Sequence, residues 1–298
     1  MMPRIGIIGS GFGAIAVASE LLRHGYRDIR LWERADQIGG VWRDNTYPGA
    51  ACDVPSPFYS FSFAPSRSWA RRYAEQPDIL RYLRAVADRE GVSARMRLGT
   101  RIVAAQWSGS AWRVEDERGA TDEVDILVSG VGQLSNPSIP AIPGQDSFTG
   151  SAFHSAMWPA DLDLTGQRVA VIGAAATAVQ AVPRLAQTAA HVTLFQRTPN
   201  DIWPKPDVAY PRWYRPWVRF ERPLFQWLGE QFSRALDEGS IAARLSRAVT
   251  RFHLRRQVKD PVLRAQLTPQ YPIGCRRILF SNDFHPALTR ANVALVTD

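Results

Sequence analysis

The feature that most constrains the fold is a pattern that occurs twice: a short apolar strand, a glycine turn, a helix with small residues on one face, and a second strand. The first copy spans residues 4–33. In it, Gly9 permits a tight turn, Gly11 lets the backbone approach a pyrophosphate, and Ala14 is small enough for helix–strand packing. Glu33 ends the second strand, where a carboxylate can accept hydrogen bonds from a ribose. The first copy therefore predicts a dinucleotide-binding Rossmann unit.

The second copy, in the later half of the chain, differs from the first in two places. Gly173 holds the turn and Ala178 the third position, but Ala175 stands where a second glycine would admit a pyrophosphate. Its methyl group is either accommodated or weakens cofactor binding by about 1 kcal/mol. The second strand ends in Arg197 and Thr198, and arginine accepts a ribose phosphate that a carboxylate would repel. The second copy therefore favours NADP over NAD.

The stretch between the two copies alternates loop, helix and strand patterns. In the glycine- and aromatic-rich loop of residues 37–63, Gly40 can approach a ligand and Trp42 can cover a flat ring. Asp53 is an isolated acid in apolar surroundings, so it needs a partner, and a structural and a functional role are both open. A helix is predicted to begin at Pro77. A small β-meander then leads into the last strand of the first domain.

The net charge of the chain bears on whether it binds nucleic acid. The chain has 298 residues and a net charge of +8, and residues 202–265 hold thirteen basic against six acidic side chains. Lys205 and Lys259 are the only lysines, so the basic charge is almost entirely arginine. Genomic base composition explains such a bias as well as phosphate binding does, and no nucleic acid partner is predicted.

Hydropathy and cysteine content further limit the classes of protein to which the chain can belong. With 45% apolar residues and a mean hydropathy of −0.21, the chain is expected to fold around two cores. No apolar run is long enough to span a bilayer and the first residues enter a strand at once, so a cytoplasmic location is expected. Cys52 and Cys275 are too far apart in sequence for a paired-thiol motif, and no metal site is predicted.

Residues 206–268 predict a helical insertion in the second domain. Within it, Ile241, Leu245, Val249 and Phe252 recur at helical spacing, opposite a row of arginines. Three interpretations stay open: a solvated basic face over an ordinary core, a lid over a substrate channel, or a membrane-surface face that draws lipophilic substrates.

Residues 148–159, FTGSAFHSAMWP, join the two halves. Their local composition alone indicates a packing joint. The positions Phe148, Gly150, His154 and Trp158, followed by a proline, match the signature of the flavin-dependent Baeyer-Villiger monooxygenases. With its two nucleotide units, the chain resembles this branch of the flavin-containing monooxygenase superfamily over essentially its whole length. Nitrogen- and sulfur-oxidising relatives usually have Tyr or Phe in place of Trp158, so Trp158 favours the ketone-oxidising branch. An enzyme that oxidises nitrogen or sulfur is the alternative.

The resemblance implies an α/β fold, two cofactors and a reaction. The fold has two Rossmann-like domains, one for FAD and one for NADP, with a β-meander and a helical insertion. In the family, NADPH reduces FAD, and a flavin peroxide formed with O2 attacks a lipophilic ketone or aldehyde to give an ester or lactone. The resemblance implies that Arg277 stabilises the peroxide anion and that Asp53 positions this arginine. It implies that Arg276 binds a cofactor phosphate.

The resemblance also assigns cofactor residues and domain limits. The residues implied for FAD are Gly9, Gly11, Ala14, Glu33, Gly40 and Trp42. The residues implied for NADPH are Gly173, Thr177, Gln180, Arg197, Thr198 and Arg276. The predicted divisions are an FAD domain at 1–145, a linker at 146–160 and an NADP domain at 161–298. Family members continue with a strand that returns to the FAD domain, so the chain is expected to be truncated, and a non-catalytic nucleotide-binding fragment is a further alternative. Peripheral membrane contact stays open.

Overall fold

A computed structural model describes residues 2–233, 237 and 239–297. The described chain forms two compact units. The first unit consists of Met1–Thr46 and Gln76–Trp158, and the second of Tyr47–Glu75 and Pro159–Asp298. The predicted domain limits place the loop Tyr47–Glu75 with the first domain, whereas its contacts group it with the second unit. The reason is that its polar groups bond to residues of that unit, as in the ion pair between Arg71 and Asp207 at 2.7 Å.

The first unit is built on a four-stranded parallel sheet in the order β3-β2-β1-β7. Its strands are β1 (Ile5–Ile8), β2 (Ile29–Trp32), β3 (Met96–Arg97) and β7 (Ile126–Ser129). Its helices are α1 (Phe12–Arg23), α2 (Val41–Asp44) and α3 (Gln76–Arg89). The core lies between the central strands and the helices, and Ile7, Ile15, Leu31 and Ile79 are 0% exposed there. The helix predicted to begin at Pro77 is confirmed as α3.

The predicted β-meander is a separate antiparallel sheet of the first unit. It consists of β4 (Ile102–Trp107), β5 (Trp112–Asp116) and β6 (Thr121–Val124), in that order. Its two turns contain Gly109 and Gly119, both with positive φ. Val114 and Val124 form a buried cluster with Trp32 of β2, so the meander is packed onto the parallel sheet.

The second unit has its own parallel sheet in the order β12-β9-β8. Its strands are β8 (Arg168–Ile172), β9 (His191–Phe195) and β12 (Val293–Val296), with helices α4 (Ala176–Thr188) and α8 (Phe284–Leu288). A parallel pair, β10 (Ile202–Trp203) and β11 (Leu279–Phe280), forms a second small sheet. The two strand–turn–helix copies thus lie in different units, and the predicted α/β class with two Rossmann-like sheets is confirmed.

From Arg215 onward, most of the described part of the predicted insertion is helical. A 3-10 helix (Arg215–Glu221) leads into α5 (Arg222–Ser233), followed by α6 (Ile241–Gln257) and α7 (Pro261–Gln266). Ser240 and Asp260 cap α6 and α7 through their side-chain oxygens. No helix in the described ranges is both long enough and apolar enough to cross a bilayer.

Of the three interpretations of α6, the one in which its apolar stripe packs over an ordinary core is wrong, and the other two are untested. Ile241, Leu245 and Phe252 are 76%, 63% and 69% exposed. The helix instead buries a face that includes Ser246, Thr250, His253 and Leu254. Two polar groups on this face have partners, since His253 Nε2 lies 2.9 Å from the carbonyl oxygen of Ser281 and Thr250 Oγ1 donates to Asp201 Oδ1 at 3.1 Å. Periodicity locates the helix, but it does not identify the face that turns inward.

Candidate active site

The first glycine turn requires a residue without a side chain. Gly9 follows β1 with a φ of +113°, and a Cβ there would lie 2.4 Å from the carbonyl oxygen of Gly130. The Gly9 N–H donates to the carbonyl oxygen of Trp32 at 2.8 Å, which ties the turn to the end of β2. Any other residue would meet backbone strain and a clash with backbone at the same time.

The backbones of Gly11 and Gly40 come together beside the start of α1. Gly11 is the N-cap residue of α1, and no side-chain hydrogen bond caps this end of the helix, where a phosphate is favoured. Gly40 has a φ of +53°, and a Cβ on it would lie 3.0 Å from the Cα of Gly11. Ala14 is 0% exposed and packs close to Gly130, as a small residue at the third position should. The two bare backbones form a cradle that fits a pyrophosphate.

Glu33 is held in place by three groups of its own unit. Its Oε2 accepts a hydrogen bond from Ser10 Oγ at 2.6 Å, and its Oε1 accepts one from the Ala35 N–H at 2.9 Å. Arg43 Nη1 lies 3.2 Å from the same Oε1. Ser10 Oγ also accepts from the Gly39 N–H at 3.2 Å and so links the glycine turn to the loop before α2. The carboxylate therefore stands at the end of β2 in a fixed orientation.

The second glycine turn repeats the backbone of the first at a more open place. Gly173 has a φ of +98°, and a Cβ on it would meet nothing within 4 Å. Ala175, the N-cap residue of α4, has φ −78° and ψ −170°, against −80° and −171° for Gly11. Both are ordinary extended conformations, so the alanine imposes no backbone strain. Only its methyl group distinguishes this turn from the first at that position.

The polar residues predicted for NADPH gather at the carboxyl edge of the second sheet. The Gly173 N–H donates to the carbonyl oxygen of Phe195, the last residue of β9, at 2.9 Å. Arg197 and Thr198 follow that strand after Gln196, and Arg197 is exposed. Thr177 lies in the first turn of α4 beside the same edge. Parallel strands ending together bring these positions side by side, as the spacing predicts.

The loop that carries Asp53 is fastened to α4 by the amide of Gln180. Gln180 Nε2 donates to the Ala51 carbonyl at 2.9 Å and to Asp53 Oδ1 at 3.0 Å, and Oε1 accepts from Tyr47 Oη at 2.9 Å. Gly49 permits this approach, since it has a φ of +84° and a Cβ there would lie 2.7 Å from the Gln180 carbonyl oxygen. Gln180 thus has a structural role in its own unit, and its contact with NADPH stays a prediction.

Asp53 is a buried carboxylate whose ion pair is with Lys205. Asp53 Oδ1 lies 3.8 Å from Lys205 Nζ, and the two side chains are only 8% and 15% exposed. Burial raises the pKa of Asp53, while the charge of Lys205, the hydrogen bond from Gln180 and the charge of Arg277 act in the opposite direction. Burial also raises the pKa of the neighbouring Cys52 thiol to about 12, so this thiol is not a nucleophile at neutral pH.

Arg276 and Arg277 precede β11 and are both exposed. The Arg276 guanidinium lies 5.4 Å from the centre of the Tyr271 ring. The positive charge of Arg277 acts to lower the pKa of Asp53, against the effect of burial, so Arg277 is within electrostatic range of Asp53. The resemblance pairs Asp53 with Arg277, whereas in the described part of the chain the ion pair of Asp53 is formed with Lys205.

The signature segment ends the first unit. His154 Nδ1 accepts a backbone N–H at 3.1 Å and caps the short 3-10 helix that follows, which contacts α2. Trp158 meets the ring of Phe153 edge-on with 5.1 Å between ring centres. Phe148 is 63% exposed, and its ring lies so near Gly150 that a Cβ there would be 2.6 Å away. These contacts explain local packing, and a role in coupling the two nucleotide domains stays a prediction.

Comparison with known proteins places the two glycine turns in a family. Residues 6–223 match the family described as pyridine nucleotide-disulphide oxidoreductase. The chain belongs to this family. Cys52 is buried, Cys275 is exposed and neither forms a disulfide. The residues that match this family of pyridine nucleotide-disulphide oxidoreductases include both glycine turns.

Relatives of the chain bear the name that the signature predicts. The chain is 42% identical over 98% of its length to a Baeyer-Villiger monooxygenase of Streptomyces coelicolor. It is 41% identical over 99% of its length to a Baeyer-Villiger monooxygenase of Pseudomonas aeruginosa. The chain spans 58% of the length of each of these two relatives. The predicted resemblance is confirmed.

Solved structures agree with the relatives. A steroid monooxygenase bound to NADP matches 99% of this chain with a TM-score of 0.86 and 32% identity, over 65% of its own length. The protein OTEMO in complex with FAD and NADP matches 99% of this chain with a TM-score of 0.89 and 28% identity, also over 65% of its own length. The first structure is that of a monooxygenase, the second is a complex with FAD and NADP, and both share the described fold.

Sequence reasoning does not identify three residues that organise the site. Ser10 lies inside the first glycine fingerprint, where its type is not constrained by the motif. Tyr47 directly precedes a Pro-Gly pair, a position typical of a turn. Lys205 stands between two prolines and is one of only two lysines in an arginine-rich chain, which is the one signal that could have marked it.

Proposed function

We propose that the chain acts in FAD- and NADPH-dependent oxygenation of the Baeyer-Villiger type, in which one atom of O2 enters a ketone or aldehyde to give an ester or lactone. The observation that carries the proposal is the presence of two nucleotide turns of equal backbone geometry with opposite charge beside them. Glu33 stands at the first and Arg197 at the second. One chain thereby offers sites for two different dinucleotides.

The first turn supports FAD. The cradle of Gly11 and Gly40 accepts the negative pyrophosphate at the amino end of α1, and the fixed carboxylate of Glu33 accepts hydrogen bonds from a ribose. Trp42 lies in α2, directly after this cradle. Bound FAD supplies the redox chemistry and the activation of O2.

The second turn supports NADPH. Gly173, Ala175 and Thr177 begin α4, whose uncapped amino end attracts phosphate. Arg197 is exposed at the neighbouring strand end, where it can pair with the ribose phosphate that distinguishes NADP from NAD. Arg276 is the second arginine we assign to a cofactor phosphate.

The buried cluster of Asp53 and Lys205 with exposed Arg277 supports the oxygenation step. Arg277 offers a guanidinium to negative charge that develops on oxygen. Asp53 fixes the local arrangement of charges, since it is bound by Gln180 as well. Asp53 and Arg277 are therefore the residues to which we assign catalytic roles.

Two further aspects of the proposal concern substrate and location. A lipophilic carbonyl compound agrees with the exposed aromatic residues of the insertion, among them Trp213 and Trp217 at 75% and 59% exposure. Peripheral membrane contact agrees with the arginines around them, and sedimentation with anionic vesicles tests it. We also propose a cytoplasmic location. None of the described helices is suited to span a membrane.

The decisive experiment follows flavin and product together. The purified chain should retain yellow flavin absorbance and oxidise NADPH in an oxygen-dependent way with a panel of ketones, and mass spectrometry should find esters or lactones. Sulfoxides or N-oxides without esters would favour a heteroatom-oxidising enzyme instead. A colourless protein that gains no flavin on addition of FAD would contradict the proposal and favour a non-catalytic fragment.

Replacing Arg197 with alanine is expected to weaken NADPH binding by about 10- to 100-fold, because a hydrogen bond to a charged group is worth about 1.5–3 kcal/mol. NADH has no ribose phosphate, so its affinity should hardly change. Fluorescence titration with both nucleotides measures the ratio. Arg168→Ala, at the opposite end of the same sheet, is the matched control. Equal losses for NADPH and NADH would contradict this role of Arg197.

Replacing Ala175 with glycine is expected to tighten NADPH binding by about fivefold, the equivalent of about 1 kcal/mol for a methyl group that crowds a phosphate. The fold should not change, because Ala175 and Gly11 share one backbone conformation. The same titration gives the dissociation constant, and the urea midpoint checks stability. An unchanged dissociation constant would mean that the methyl group is accommodated.

A further inference from the structure

Lys205 has a backbone position that is fixed from several sides. It lies between Pro204 and Pro206, which restrict φ on either side of it. Its N–H donates to Asn282 Oδ1 at 3.0 Å, and Asn282 Nδ2 donates to its carbonyl oxygen at 2.6 Å. This two-way contact joins the end of β10 to the loop after β11, so the side chain of Lys205 starts from a well-defined point.

The ammonium group of Lys205 contacts residues of the loop that carries Asp53. Its Nζ donates to the Cys52 carbonyl oxygen at 3.3 Å and lies 3.8 Å from Asp53 Oδ1. The same Nζ lies 4.9 Å from the centre of the Tyr73 ring, a cation–π distance. A lysine that is only 15% exposed needs such partners, because an uncompensated buried charge costs several kcal/mol.

The other groups around Asp53 do not replace this cation. Tyr47, Cys52 and Tyr73 are neutral near pH 7, and burial raises the pKa values of Cys52 and Tyr73 to about 12. Gln180 supplies a neutral hydrogen bond. Arg277 acts on Asp53 through its charge, but it acts less strongly than Lys205 does and its side chain is exposed.

We propose that Lys205 is a positioning residue that keeps Asp53 ionised and fixed, so that Arg277 remains available to a ligand instead of being neutralised by Asp53. The part of this inference that concerns the reaction rests on the proposed function. The ion pair does not, because both of its residues lie in the second unit and it forms without a cofactor. With Lys205 present, the cluster carries two positive charges and one negative charge, which leaves a net positive site for an anion.

A thermal double-mutant cycle without added cofactor tests the pair. Lys205→Met should lower the melting temperature by about 5 °C or more at about pH 7.5, since it leaves a buried carboxylate without its cation. In an Asp53→Asn background the same substitution should cost little, because no buried charge is left unpaired. Lys259→Met is the matched control, as Lys259 is the only other lysine and is exposed. Lys205→Arg should retain most of the stability.

The pH dependence of this loss follows from the direction of the pKa shift. The pKa of Asp53 is already raised by burial in the folded protein, and removal of Lys205 should raise it further. The penalty is then present above the folded pKa and disappears as the carboxyl group is protonated. The difference in melting temperature between Lys205→Met and the unmutated chain should therefore shrink when the pH falls from about 7.5 to about 4.5.

A kinetic readout separates positioning from simple destabilisation. In Lys205→Met, the acid limb of the pH profile of NADPH-dependent oxygenation should move up by about one pH unit, and Lys205→Arg should restore it. A purely structural role would lower the rate at every pH without moving the limb.

Two outcomes overturn the inference. One is a melting temperature of Lys205→Met equal to that of Lys259→Met, and the other is an equal loss with and without the Asp53 carboxylate. If the unmutated chain holds neither flavin nor NADPH, the proposed function fails, while the thermal cycle still decides whether Lys205 is the counter-ion of Asp53. The two failures are therefore distinguishable.

Discussion

Replacing Arg277 with alanine is expected to reduce ester formation by about 10²–10³-fold while flavin reduction by NADPH stays largely intact. The reason is that the exposed guanidinium of Arg277 offers positive charge to oxygen, whereas we assign NADPH binding to residues at the edge of the second sheet. Anaerobic stopped-flow absorbance measures flavin reduction, and mass spectrometry measures the product.

The neighbouring arginine provides the contrast for this experiment. Arg276→Ala should raise the KM for NADPH and leave the yield of ester per NADPH nearly unchanged, because we assign Arg276 to a cofactor phosphate. If Arg277→Ala abolished flavin reduction as well, Arg277 would be a nucleotide-binding residue and the proposed oxyanion role would be wrong.

Replacing Gly9 with alanine is expected to destabilise the first unit by about 2–4 kcal/mol and to abolish flavin retention. A Cβ at this position would lie 2.4 Å from the Gly130 carbonyl oxygen, and the φ of +113° is unfavourable for alanine. Both problems involve backbone, so rotation of a side chain cannot relieve them. Urea unfolding gives the free energy, and absorbance of the purified protein gives the flavin content.

Gly13 is the matched control for Gly9. It lies in the first turn of α1, it is exposed, and a Cβ on it would meet nothing within 4 Å. Gly13→Ala should therefore be neutral or should stabilise the helix by about 0.5–1 kcal/mol. Equal stability of the two variants would mean that the turn at Gly9 tolerates a side chain, contrary to its backbone geometry.

Local signals predict the regions of the fold that local geometry determines. The glycine positions of both turns, the meander turns and α3 could be found because backbone conformation and periodicity depend on neighbouring residues. The difference at Ala175 could also be read from the sequence. That it leaves the backbone unchanged could not, since this conclusion needs the dihedral angles of both N-cap residues.

Long-range contacts explain what could not be predicted. The sequence marks Asp53 as an acid in need of a partner, yet Lys205 reaches it from the end of a distant strand. The orientation of α6 could not be predicted either, since its buried face is not the apolar stripe and includes Thr250, which donates to Asp201 Oδ1 at 3.1 Å. Periodicity finds a helix, but it does not determine which polar groups are paired inside.

The unequal enclosure of the two glycine turns has a kinetic consequence. The first turn is lined by the backbones of Gly40 and Gly130, whereas a Cβ on Gly173 in the second would meet only open space. We expect the closer backbone at the first turn to slow the release of a nucleotide bound there, relative to one bound at the open second turn. We expect the first to behave as a prosthetic group that survives dialysis, and the second as a diffusible co-substrate exchanged in every catalytic cycle.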